Sequence, residues 1–145
     1  MVPLKIDLPA RAPATAPSTP PRVDPRVWPL LNHLRVVALT CRASARTDLF
    51  EACAMLSSDK TIARAAYSET LMKCLAQATG KRPVMYRPGA GEVSFDEAWL
   101  ARLAVASAES DGDSFEFLLR SRVPAWARRN LAFLIHRVAG EIGKV

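Results

Sequence analysis

Lys60, Thr61 and Arg64, then Lys81, Arg82 and Arg87, are the residues whose types and spacing point to chemistry in this chain, and that chemistry is phosphate recognition. Lys and Arg neutralise phosphate oxygens. Tyr86, lying between Arg82 and Arg87, adds an aromatic face on which a base can stack, and Arg128 and Arg129 extend the cationic set into the last segment. The same residues also suit a helix with a solvated polar face and a loop folded onto its own domain. In that second reading Val84, Met85 and Tyr86 tuck over the helices and the loop's arginines pair with nearby acids. Met85 and Tyr86 are also candidates for partner contact, because so apolar a loop is unlike a plain linker.

Catalytic and cofactor signatures fail one by one. Gly80-Lys81 lacks the upstream glycine and the following Ser or Thr of a phosphate loop, and Gly89-Ala90-Gly91 follows no strand pattern and lacks the third glycine of a dinucleotide fingerprint. With Gly112 as the sixth position of a calcium loop, Leu118 would stand where a bidentate Glu is required. Cys41, Cys53, Cys74, His33 and His136 show no metal-ligand spacing. No catalytic residue, metal or cofactor is expected.

The elements that must position the cations are helices. Ala63, Tyr67, Leu71, Cys74, Leu75 and Ala78 recur at helical spacing behind the potential caps Ser58 and Asp59, and Gly80 is a natural stop. Leu30, Leu34, Val37, Cys41 and Ala45 form an earlier stripe starting near Pro29, with Arg35, Arg42 and Arg46 off the stripe and expected in solvent. His33 beside that stripe suits a hydrogen-bonded structural role. Ser94-Phe95-Asp96-Glu97 reads as a capping box, opening a helix that puts Phe95, Trp99, Leu103 and Ala106 on one buried face. Asp113 and Glu116 repeat the cap pattern before Phe115, Leu118 and Leu119, and Pro124 suits the first turn of a last helix. That helix carries Ala127, Leu131, Leu134, Ile135, Val138 and Ile142 on its core face, and Arg128, Arg129, His136, Arg137 and Lys144 off it.

Thr47 can cap a short helix with Leu49, Cys53 and Leu56 on one face, and the Ser57-Ser58-Asp59 break joins it to the helix beyond. The pair over 47–79 resembles a helix-turn-helix, with Ala52 as the small residue of the first helix and Ile62 as an apolar position of the second. Leu56 stands where that motif carries glycine, and Ala65 where it carries a larger apolar residue. The resemblance implies a front face that offers Lys60, Thr61 and Arg64 to the major groove.

Composition completes the picture. Of eleven prolines, eight precede Leu30, so residues 1–28 are expected as an extended arm and 29–145 as one helical domain. Leu4, Ile6 and Leu8 alternate with Lys5 and Asp7, a pattern suited to docking on a partner's sheet edge, or to a frayed end. The net charge of +6 divides into +5 over 1–46, −2 over 47–122 and +3 over 123–145, which favours an acidic partner. Three cysteines among apolar neighbours suit buried, reduced thiols of the cytoplasm, and no run reaches membrane-spanning length or resembles a secretory signal. The expected molecule is an all-α bundle of about six helices with a Pro-rich arm. Its expected role is that of a non-catalytic regulatory or adaptor protein of the bacterial cytoplasm, partnered by nucleic acid or a nucleic-acid-bound machine. The alternative is an assembly or scaffold factor that binds a larger complex through the arm and the 81–91 loop.

Overall fold

Asp24 caps the first element among the described residues. Its carboxylate accepts from the Arg26 N–H at 2.9 Å and caps a 3-10 turn over Pro25–Val27, which runs directly into helix α1, Trp28–Cys41. Pro29 falls in the first turn of α1, where a missing N–H costs no intrahelical bond, so the helix begins one residue before it. Val27 is fully buried, and the core therefore reaches back past the boundary placed at Pro29. The computed structural model describes residues 22–41, 55 and 58–140.

Four further helices follow: α2, Lys60–Thr79; α3, Phe95–Ala108; α4, Gly112–Arg122; and α5, Ala125–Ala139. Asp59 caps α2 by accepting from the N–H groups of Thr61 and Ile62, and Gly80, at φ 82°, ends it in the left-handed region that a side chain would strain. Ser94 and Glu97 form the expected capping box: Ser94 Oγ accepts from the Glu97 N–H at 3.0 Å, and Glu97 Oε1 from the Ser94 N–H at 2.9 Å. The cap of α4 is Asp111, not Asp113, because it is the Asp111 carboxylate that accepts from the Ser114 N–H. Pro124 occupies the N-cap position of α5.

The fold is all-helical among the described residues, with five α-helices and one 3-10 turn. The sixth helix expected from Thr47 lies outside the described residues, as do the arm residues 1–21. Helix α2 packs on α1 and α5, and α3 packs on α4 and α5. Leu31, Leu71, Leu75, Leu103, Leu119, Leu131 and Val138 fill the centre between them. The stripe of α5 is buried from Ala127 to Val138, as its spacing requires, while Ile142 lies outside the described residues.

Two expectations about single residues fail. Phe95 is 75% exposed: it is the first residue of α3, and its ring lies under the Arg122 guanidinium, 5.4 Å away, instead of joining Trp99 and Leu103 in the core. Arg35 is fully buried rather than solvated. The segment leading into α3 covers α1 at this position, where the Ala90 and Glu92 carbonyls accept from the Arg35 guanidinium, whereas Val36 and Leu39 of the same helix are exposed.

Candidate nucleic-acid interface

Helices α2 and α5 run antiparallel. Tyr67 meets Phe133 edge to face with centroids 6.0 Å apart, and seven residues further along α2 Cys74 meets Asn130, three residues earlier on α5. The start of α2 therefore lies beside the end of α5. There Lys60 and Arg64 face Arg137 and His136 across a groove of about 540 Å³, which His33 of α1 and Tyr67 help to line. Thr61 also lines it. Every ionisable lining side chain among the described residues is a Lys, Arg, His or Tyr, so the groove concentrates positive charge in a concave surface.

The groove's cations differ in their surroundings. Lys60 and Thr61 are exposed, as their place in the first turn dictates. Arg64 is half-buried, and its Nε is a buried donor without an acceptor among the described residues. Arg137 is exposed and lays its guanidinium 5.6 Å from the Tyr67 ring centre and 5.5 Å from that of Phe133. That stacking orients the guanidinium and leaves its N–H edge for an anion. His136 is stacked on Phe115 at 4.4 Å, with Nδ1 2.6 Å from Ser107 Oγ.

His33 has the structural role expected of it, since Nε2 lies 2.9 Å from Ser68 Oγ. Burial first, and then the Arg64 charge, lower its pKa below the usual histidine value. A depressed histidine pKa means that the unfolded chain binds the proton more readily. Stability should therefore be fully present above about pH 6.5 and fall as the pH drops from there through the lower folded-state value. Urea unfolding at a series of pH values should show that slope, reduced in His33→Gln; an identical slope in the variant would discount His33 as its source.

The remaining sequence candidates lie elsewhere. Helix α2 has 20 residues, about 30 Å of axial rise, so Lys81, Arg82 and Arg87 stand at its opposite end from Lys60. All three are exposed. Arg128 Nε donates to the Val123 carbonyl at 2.8 Å, which ties it to the end of α4, and Arg129 beside it is exposed. The eight residues expected to act together thus fall into separate groups, with Lys60, Thr61 and Arg64 in the groove and Arg137 joining them. Leu4, Ile6 and Leu8 lie outside the described residues.

The 81–91 loop is held by backbone bonds to side chains of the helices. Asp96 accepts from the Val84 N–H at 2.7 Å, Glu97 from the Tyr86 N–H at 2.9 Å, and Asn32 from the Gly89 N–H at 3.1 Å. Arg35 donates to the carbonyls of Ala90 and Glu92. Met85 packs against the core, whereas Val84 is 52% and Tyr86 40% exposed, so only one of the three apolar residues tucks in as expected. The nearby acids do pair with arginines, but with Arg35 of α1 and Arg122 of α4 rather than with those of the loop. Burial raises the Asp96 pKa, yet the Val84 N–H and the Arg122 guanidinium outweigh it and hold the carboxyl below the usual range.

Cys41 and Cys74 are half-buried rather than buried, and Cys53 lies outside the described residues. Among the described residues no group of three or more His, Cys, Asp or Glu is placed to hold a metal ion, and no helix is long and apolar enough to cross a membrane. The chain matches no protein-family model, no curated protein and no solved structure.

Proposed function

We propose that this chain is a non-catalytic regulatory or adaptor protein that acts on nucleic acid, or on a protein machine carrying it, in the cytoplasm. The observation that carries the reading is the convergence of Lys60, Arg64 and Arg137 in one groove whose ionisable lining includes no acid among the described residues. Such a surface attracts a polyanion at long range and releases counterions when it binds. In this reading the front of α2, the helix that resembles the second helix of a helix-turn-helix, contacts the phosphate backbone together with the end of α5. The arm residues Leu4, Ile6 and Leu8 and the 81–91 loop engage the larger complex.

The test is binding of the full chain to duplex and single-stranded DNA across a salt series. Three phosphate contacts predict a slope of log affinity against log salt near −2.7 on duplex, which weakens binding about 40-fold between roughly 50 and 200 mM salt. No binding at low salt would refute the reading. It would also favour the second one, a protein-binding assembly factor. The observation behind that alternative is that Val84 and Tyr86 are exposed on a loop whose backbone is already fixed, so little ordering entropy is lost on docking.

A further inference from the structure

We infer that the nucleic acid engaged by this protein is single-stranded, and that its bases stack along the outer face of α5 on Trp126 and Phe133. The inference rests on the nucleic-acid reading above and narrows its ligand to an unpaired strand. Its starting point is exposure. Trp126 is 70% and Phe133 48% accessible, although aromatic rings are among the side chains that gain most from burial. The core-facing stripe of α5 runs through Ala127, Leu131, Leu134 and Val138 and leaves both rings outside it. Spacing makes the two rings one surface, because residues seven apart lie two turns apart on the same side of a helix. Arg129 stands between them, three residues after Trp126 and four before Phe133, and is exposed. Arg137 follows four residues after Phe133 and sets its guanidinium against that ring. Aromatic and arginine therefore alternate along the face, which ends at the groove that Arg137 and Tyr67 line.

Charge and geometry select the occupant. Helix α5 contains no Asp or Glu, and the one acid of α2, Glu69, is two residues from Tyr67 and so stands away from the α5 side. A second copy that met this face with its own would set arginine against arginine. A nucleic-acid strand supplies both complements at once, planar bases for the rings and phosphates for the arginines. In a duplex the base faces are covered by their stacked neighbours, so exposed rings on a helix surface serve only bases that have been splayed out. The two rings are about 10 Å apart along the helix axis. Successive nucleotides of a stacked strand advance only about 3.4 Å. Each ring therefore takes a base from a strand that has unstacked, and Arg129 stands where the phosphate linking those bases would pass.

The experiment titrates the full chain with oligothymidylate, with an abasic strand of the same length that keeps the phosphates and lacks the bases, with a duplex of that length, and with polyglutamate. The intact strand should bind about tenfold tighter than the abasic one, the gain expected of a base stacked on an aromatic ring. Binding should also quench tryptophan emission, since Trp126 is exposed whereas Trp28 is half-buried and Trp99 buried. Trp126→Ala should weaken the intact strand about tenfold while changing the abasic strand and the duplex less than about twofold, and Trp126→Phe should keep most of the preference. Should the alanine variant not fold, the comparison of intact with abasic strand on the unaltered chain decides. Equal affinity for those two strands overturns the inference and leaves the nucleic-acid reading standing. So does a loss in Trp126→Ala that is as large for the duplex as for the single strand. Polyglutamate that binds more tightly than any strand, and is weakened by Trp126→Ala, assigns the face to an acidic protein and overturns the inference as well. Absence of strand binding at low salt overturns both.

Discussion

Arg35→Met is expected to cost about 3–5 kcal/mol of folding stability, the range found when one partner of a buried ion pair is removed. Arg35 and Glu97 are both fully buried, with Nε 2.6 Å from Oε2 and Nη2 3.1 Å from Oε1. The guanidinium also satisfies the carbonyls of Ala90 at 2.8 Å and Glu92 at 2.7 Å, and lies 5.6 Å from the Trp28 ring centre. Methionine fills much of the same volume, so the loss is electrostatic: a buried carboxylate keeps only the Ser94 and Tyr86 N–H groups, and two loop carbonyls lose their donor. Urea unfolding measures the cost. A second change, Glu97→Gln in the Arg35→Met background, removes the stranded charge while its side-chain oxygen can still close the capping box, and should restore part of the stability. A loss below about 1 kcal/mol for Arg35→Met would contradict the central position given to this pair.

The pair also shows where a sequence stops informing the structure. Helix periods, caps and stops are local properties, and Asp59, Gly80, Ser94 with Glu97, and the core face of α5 all act as their spacing implies. Arg35 is different. Its neighbours in sequence place it beside an apolar stripe, and only the return of the chain 55 to 62 residues later, bringing Ala90, Glu92 and Glu97, compensates its burial. The sequence signal for it is the capping box itself, since a buried cap carboxylate bonded on one oxygen still has lone pairs to satisfy. Ser94-Phe95-Asp96-Glu97 is more than a cap, because Asp96 and Glu97 also hold the 81–91 loop.

The groove follows the same division. That Lys60, Thr61 and Arg64 occupy the front of a helix is legible from a three- and four-residue spacing. That Arg137, and not Arg128 or Arg129, completes the set depends on α5 running antiparallel to α2, which no local pattern records. Arg128 lies off the apolar stripe, which by itself implies exposure, yet its Nε is engaged by the end of the preceding helix. Positions off a stripe are solvated only when no second element covers them, and in a bundle this small most helices are covered twice.

Replacing Lys60, Arg64 and Arg137 together by Gln should lower affinity for nucleic acid on the order of 100-fold at low salt and flatten the salt slope by about three units, one for each phosphate that no longer meets a cation. The fold should tolerate the change. Lys60 is exposed, Arg64 makes no ion pair among the described residues whose removal would count against it, and Arg137 gives up stacking on Tyr67 and Phe133 worth about 0.5–1 kcal/mol. Affinity therefore reports binding rather than unfolding, and a melting curve run on the same sample checks it. The matched comparison is Lys81, Arg82 and Arg87 changed to Gln, which removes the same net charge from the other end of α2. If long-range attraction by net charge were the whole effect, the two triple variants would weaken binding equally, because both lower the total by three. A groove that itself touches the phosphates demands a difference: less than about threefold for the loop set against two orders of magnitude for the groove set, and the inverse order would assign the interface to the loop.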